Sequence, residues 1–417
     1  MKTVGIIAEF NPFHKGHEYL IRALKEQTGS DYAVIIMSGD FTQRGAPAIF
    51  DKYTRTKMAL SCGADLILEL PIYYSTSSAE FFAGGAISIL DKLDCIDYLG
   101  FGSESGNIEA LQKISTVLAN EPSDFSAMIK ENLKSGKNYA VARAAALSAY
   151  LGEDASFLSE PNDILGTEYI KALTIQKSSM VPFCIKREGA SYSEDTISDN
   201  PDVFASAKAL RSLIEDNADI SASVNNLKSQ LPTGVFDLLK ELCESKALKI
   251  CTPDNFSTLL HYKLISEKNA GFDKYLDVSS DFSDKINANI RSFSSITGFT
   301  DKLKSKDLTY TRISRALLHI LLGLTKENMS LYVKDKDSFT SYARILGLNK
   351  NASPLLKKIQ ECSRIPVISK LSDAYKALSE EEYSLLSETI VSSNIYDLIN
   401  SRETINEYAK TLITISR

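Results

Sequence analysis

The stretch Phe10-Asn11-Pro12-Phe13-His14-Lys15-Gly16-His17 follows an apolar run, Val4-Gly5-Ile6-Ile7-Ala8, and leads into a helix-like pattern from Glu18. Leu20, Ala23 and Leu24 share one face of that helix. Two of the chain's four histidines stand in the turn, three residues apart around a glycine. A strand that feeds a turn and then a helix N-terminus is a place to hold phosphates, because backbone N–H groups and the helix dipole face the anion. Gly16 permits close backbone approach where the helix begins. Imidazoles there can add hydrogen bonds to the α-phosphate of a nucleotide. Histidines at i and i+3 could also ligate a metal, but no nearby cysteine or third histidine completes a zinc set; only His261 and His319 remain. No metal ligands are assigned.

The flanking sequence alternates in kind. Ala33-Val34-Ile35-Ile36-Met37 is a continuous apolar run, as a buried parallel strand would be, and it ends at Ser38-Gly39-Asp40. A helix over about residues 52–62 closes on Gly63. Leu66-Ile67-Leu68-Glu69-Leu70 is a third strand stopped by Pro71, a helix covers about 78–91, and Tyr98-Leu99-Gly100-Phe101-Gly102 is a fourth strand. This order predicts an α/β fold with a parallel sheet covered on both faces. Right-handed crossovers then put every strand C-terminus on one edge, where ligands bind. The histidine turn, residues 38–45 and Gly102 all follow strand ends and should converge there. After a last strand at 181–186 the pattern is helix upon helix. Two domains are expected, residues 1–200 around the sheet and residues 201–417 all-helical.

The chain has 417 residues, 44% hydrophobic and 24% charged, enough for two or three domains. No apolar stretch is long enough to cross a bilayer, and the start lacks the pattern of a signal peptide. A cytoplasmic location with no membrane partner is expected. None of the six cysteines falls in a CxxC pair, which argues against a zinc ribbon or redox pair. The net charge of −6 conceals a basic region: residues 301–370 hold 14 basic and 6 acidic side chains. Such a patch on an acidic protein is a polyanion footprint. Arg312 and Arg315 share a helical face, Arg344 and Lys357 follow, and Tyr310 and Tyr342 are placed to stack on unpaired bases.

Residues 11–17 after a strand resemble the HxGH signature of the nucleotidyltransferase superfamily, whose members attack the α-phosphate of a nucleoside triphosphate and release pyrophosphate. Phe204-Ala205-Ser206-Ala207-Lys208-Ala209-Leu210-Arg211 is the best counterpart of a second, ISSTxIR-like helix start, with Ala207 and Lys208 replacing its Ser-Thr pair. Further segments in order resemble the bacterial tRNA(Met) cytidine acetate ligase family: residues 38–48, 63–71, Phe101-Gly102-Ser103-Glu104, residues 161–166, Lys186-Arg187-Glu188-Gly189, Arg312-Ile313-Ser314-Arg315 and residues 342–347. The resemblance spans essentially the whole chain.

It implies a Rossmann-like nucleotidyltransferase domain followed by a helical tRNA-binding domain. It implies an AMP-forming ligase in which acetate attacks ATP to give acetyl-adenylate. The N4 amine of the wobble cytidine of elongator tRNA(Met) then takes the acetyl group. ATP and Mg²⁺ are the implied cofactors, tRNA and acetate the partners, with no protein partner. Carried over by position, the ATP site comprises Ile7, Ala8, Glu9, Phe10, Asn11, Pro12, Phe13, His14, Lys15, Gly16, His17, Glu18, Tyr19, Leu20, Gly102, Asn162 and Arg187, with Ser206 and Arg211 from the helix start. His14, His17, Lys15 and Arg44 are the expected catalytic groups, and residues 38–44 the acetate and base side. Arg312, Arg315, Arg344 and Lys357 are the expected tRNA contacts. Asp40 and Glu104 stand unranked as bases toward the cytidine. Two rivals are a small-molecule adenylyltransferase, which would not need the long basic half, and a catalytically silent RNA-binding protein.

Overall fold

The computed structural model describes residues 1–137, 139–152, 160–187, 204–215, 219–400 and 406–416. The expected boundary at residue 200, and Glu188 and Gly189 of one quoted segment, lie outside these. The strands of the first half are β1 (Thr3–Ala8), β2 (Tyr32–Ser38), a small antiparallel hairpin of β3 (Phe41–Thr42) and β4 (Ala46–Pro47), β5 (Leu66–Leu70), β6 (Tyr98–Ser103) and β7 (Val181–Lys186). The helices are α1 (Lys15–Thr28), α2 (Lys52–Ser61), α3 (Ile72–Ser75), α4 (Ala79–Lys92), α5 (Ile108–Asn120), α6 (Ser123–Lys134), α7 (Tyr139–Leu151), α8 (Pro161–Ile175) and α9 (Ala207–Glu215).

Five strands form a parallel run in the order β5-β2-β1-β6-β7. The chain runs from β1 outward to β5, then crosses back to β6 and β7. The order therefore reverses between β1 and β6, and a crevice opens there at the C-terminal edge. The histidine turn leaves β1 at this point. Residues alternate between the two faces, as strand geometry requires. Ile7, Ile36, Leu66, Leu68 and Leu70 enter one core with α4 and α8, while Val4, Ile6, Ile35, Met37 and Ile67 enter the other with α1, α2 and α9.

The second half is largely helical, but the expectation of helices alone needs correcting. Ala343–Asn349 pairs antiparallel with β5, and Val367–Ile368 and Ile413–Ile415 each pair parallel with Ala343–Asn349. Every residue of Ala343–Asn349 is buried. The cause is the apolar edge of β5, which must be covered. Gly347 lets the strand lie against α2, where a Cβ would meet Thr56 Cγ2 at 2.5 Å.

Arg344 of that strand is also corrected. It was expected to face tRNA, yet its side chain is 4% exposed and its guanidinium donates to Glu69 and Glu407, both at 2.6 Å. Buried Lys52 completes the cluster, with Nζ 2.7 Å from Glu69 and 3.0 Å from Glu407. A guanidinium so enclosed is not available to a phosphate. Tyr342, expected as a stacking platform, is buried as well.

Candidate active site

His14 is the N-cap of α1, and its Nδ1 accepts the Gly16 N–H at 3.0 Å. His17 reaches back, and its Nδ1 accepts the His14 N–H at 3.3 Å. The two imidazoles form a capping box of the Ser-x-x-Glu kind. This arrangement fixes the tautomer: a neutral ring that accepts at Nδ1 carries its hydrogen at Nε2. The rings stack with centroids 3.8 Å apart, and Phe10 packs edge-on to His17 with centroids 5.0 Å apart. Gly16 is required, because a Cβ there would stand 2.9 Å from the His14 ring.

Burial, then the positive fields of Arg187 and Arg211, push the His14 pKa down to about 3. Burial, His14 and Arg187 hold His17 well below the ordinary histidine value. Both rings are therefore neutral near pH 7 and present Nε2–H donors.

These rings line an open cleft with Ile7, Ala8, Glu9, Phe10, Asn11, Leu20, Gly102, Asn162, Arg44, Arg187 and Arg211, all anticipated from sequence. Arg211 donates to the Asn11 carbonyl at 2.6 Å, which ties α9 to the histidine turn. The backbone N–H of Arg187 donates to the Ser103 carbonyl at the end of β6. Asn162 is the second residue of α8; its Nδ2 donates to Glu104 Oε1 at 2.5 Å.

The remaining expected residues do not line this cleft. Pro12 and Phe13 are buried behind the turn, and Lys15 and Glu18 lie outside. Gly16 and Tyr19 border a small adjoining recess with Arg187 and Phe204. Ser206 is buried and its hydroxyl accepts the Ala209 N–H at 3.1 Å; the next residue, Ala207, reaches the cleft instead.

Gln43, within the expected stretch 38–44, also lines it, whereas the lining residues Phe82, Phe101, Leu165 and Tyr169 were not singled out from sequence. Asn162, Leu165 and Tyr169 are spaced i, i+3, i+7, so one face of α8 carried the signal. Phe101 and Tyr169 meet edge-on with centroids 5.8 Å apart. Arg55 locks the strand-end loops together. Fully buried, it donates to the carbonyls of Glu9 (2.6 Å), Ser38 (3.0 Å), Phe50 (2.9 Å) and Gly39.

The basic helix Tyr310–Leu322 packs on this region. Ser314 Oγ donates to the Gly45 carbonyl at 2.9 Å, in the loop that carries Gln43 and Arg44. Arg312 is exposed, whereas Arg315 is half-buried and donates to Asp277 at 2.8 Å. Lys357 is exposed on a separate helix, Ser353–Cys362.

Residues 1–411 match the family model described as HIGH Nucleotidyl Transferase. A tRNA(Met) cytidine acetate ligase of Clostridium novyi (strain NT) is 39% identical over 414 residues, 99% of this chain and 98% of the relative. One from Clostridium acetobutylicum is 36% identical over 425 residues, covering both chains completely. The crystal structure of Thermotoga maritima TmcAL (apo, form I) superposes with a TM-score of 0.91 at 28% identity, over the whole of both chains. A second structure of that protein, bound with alpha-thio ATP, gives 0.89 at 27% identity, again with full coverage.

Proposed function

The chain belongs to the HIGH nucleotidyl transferase family and, within it, to the tRNA(Met) cytidine acetate ligases, and on that premise we propose how its cleft works. It is an ATP-dependent ligase that joins acetate to a cytidine of tRNA(Met). The observation that carries the mechanism is the pair of Nε2–H donors on neutral His14 and His17, set among Arg44, Arg187 and Arg211 at the point where strand order reverses.

Acetate attacks the α-phosphorus of ATP, and pyrophosphate leaves. Two neutral donors at that phosphate stabilise charge that develops in the transition state, without a proton transfer. The arginines hold the phosphate chain and oppose its repulsion of acetate. The N-terminus of α9 adds its dipole. Mg²⁺ supplies charge neutralisation on the phosphate oxygens when present. No group of three or more His, Cys, Asp or Glu side chains that could hold a metal occurs among the described residues.

In the second step the wobble cytidine N4 of elongator tRNA(Met) takes the acetyl group and AMP departs. The exposed Arg312, Arg315 beside it and Lys357 provide phosphate contacts, and Tyr310, 37% exposed at the start of the basic helix, provides an aromatic edge. The test is to incubate the protein with ATP, labelled acetate and tRNA(Met), and digest the RNA to nucleosides. Label in N4-acetylcytidine is expected. Its absence with folded protein would overturn the reading, and AMP transferred to a small acceptor would favour an adenylyltransferase.

A further inference from the structure

We propose that the Glu9 carboxylate receives the amine of the acceptor cytidine, orienting it and taking its proton as the carbon–nitrogen bond forms. The inference rests on the ligase reading above and adds to it a residue for the second step. Among the described residues, Asp40, Asp51, Glu104 and Asp163, on or just beyond the strand-end loops, are already committed. Asp40 is buried, with Oδ1 accepting the Lys52 N–H at 2.8 Å and Oδ2 3.9 Å from Lys52 Nζ. Asp51 caps α2 through the N–H groups of Tyr53 and Thr54. Glu104 accepts from Asn162 and from the Asp163 N–H at 3.1 Å. Asp163 accepts from Ser103 and Ser105. This excludes both Asp40 and Glu104 as free bases.

Glu9 differs on three counts. It is the only carboxylate among the described residues that line the cleft. One oxygen, Oε1, is held by the Gln43 N–H at 2.9 Å, and among the described residues its carboxylate makes no ion pair, which leaves Oε2 with its lone pairs. Its backbone is fixed by Arg55, so the carboxylate is anchored at both ends. The anchor comes from the β2 side, whereas Gly102, Asn162 and Arg187 hang from β6, α8 and β7 on the opposite side. An anion repels the triphosphate and attracts a neutral N–H donor. The cytosine amine is such a donor, and carboxylates are its ordinary partners. In the step itself, the N4 lone pair forms a bond to the acetyl carbonyl carbon. The carbon–oxygen bond to the phosphate breaks, its electron pair leaves with AMP, and one N4 proton passes to Glu9 and on to solvent.

The test separates the two half-reactions in Glu9→Gln, with Glu9→Asp beside it. Acetate-dependent ATP–pyrophosphate exchange reads the first step. Single-turnover transfer from preformed acetyl-adenylate to tRNA(Met), followed against pH, reads the second. Transfer should fall by about 10²-fold or more beyond any loss in exchange, the usual contribution of a general base. The wild-type transfer rate should rise with pH along an acid limb that Glu9→Asp keeps and Glu9→Gln lacks. Equal losses in both steps, or transfer retained in Glu9→Gln, would overturn the proposal. Wild-type protein that fails to acetylate tRNA would instead overturn the ligase reading.

Discussion

Gly45→Ala tests the contact between the cleft and the basic helix. Gly45 sits between β3 and β4 with φ of +76°, in the left-handed region. A Cβ there would lie 2.3 Å from Arg315 N, 2.5 Å from Ser314 C and 2.6 Å from Arg315 Cα. All three are helix backbone atoms, which cannot swing aside as a side chain would. An L residue in the left-handed region costs about 1–2 kcal/mol, and overpacking a tight contact about 1–3 kcal/mol. If the loop lifts away to escape, the Ser314–Gly45 hydrogen bond is lost, at about 1 kcal/mol. Either way the loop that carries Arg44 and the Gln43 N–H moves, and Glu9 loses its anchor. We expect the urea midpoint to fall by the equivalent of about 2–5 kcal/mol, following those strain terms. Acetyl transfer to tRNA should drop further than the folded fraction explains. Ser314→Ala, which removes the hydrogen bond without the overlap, should cost only about 1 kcal/mol. A Gly45→Ala protein with wild-type midpoint and wild-type transfer would refute the close packing of this loop on the helix.

Four further perturbations address other parts of the molecule. His17→Ala removes one Nε2–H donor and should cut acetate-dependent pyrophosphate exchange by about 10²–10³-fold, with tRNA affinity in filter binding nearly unchanged; a matching loss of affinity would contradict the assignment. Arg312→Glu should weaken tRNA binding and lower its salt dependence, leaving exchange intact, whereas Arg344→Met should cost about 3–5 kcal/mol of stability by stranding Glu69 and Glu407. If the folded Arg344 variant loses tRNA affinity as Arg312→Glu does, the burial of Arg344 is refuted. The last concerns pH. His14 has a folded-state pKa of about 3, below the 6.5 of the free side chain, so the unfolded chain takes the proton first as pH falls. Its contribution to stability is complete above pH 6.5 and is lost as pH drops toward about 3. At about pH 5 the loss amounts to about 2 kcal/mol. His14→Asn keeps an N-cap side chain but does not titrate. Its denaturation midpoint should therefore fall less than wild type between about pH 7.5 and pH 5, and equal falls would count against a neutral, buried His14.

The parts legible in the sequence are those whose physics is local. A continuous apolar run marks a strand, buried on both faces in β2 and β5, and such runs located β1, β2, β5, β6 and β7. A histidine before a glycine at a helix start marked the turn that lines the cleft. What escaped was set by partners far away in the chain. Arg344 reads as a surface charge until Glu69 and Glu407 are seen around it, at separations of 275 and 63 residues. The same charge hid a strand, since Ala343–Asn349 is otherwise an apolar run. Tyr169 was missed for a different reason: its spacing from Asn162 was visible, but nothing local told which face of α8 meets the cleft.

The buried cluster and the Gly45 contact together set how a basic helix, whose Ser314 is 269 residues from Gly45 in the chain, sits against the cleft. Lys52 stands at the start of α2, directly after the hairpin loop, and Arg344 lies on the strand that covers β5. Their shared carboxylates, Glu69 and Glu407, bind the end of the chain to the same sheet edge that carries the loop. Tyr396 adds a hydrogen bond to the Ala48 carbonyl at 2.8 Å. Breaking one partner of a buried ion cluster is costly, so the second half cannot swing freely against the sheet. Arg312 is consequently held at a fixed reach from Arg44, with one glycine setting the closest approach between their elements. An acyl-adenylate must meet its acceptor base within a few ångströms and in one orientation to react efficiently. A rigid frame linking the histidine turn to the basic helix would meet that requirement without a hinge.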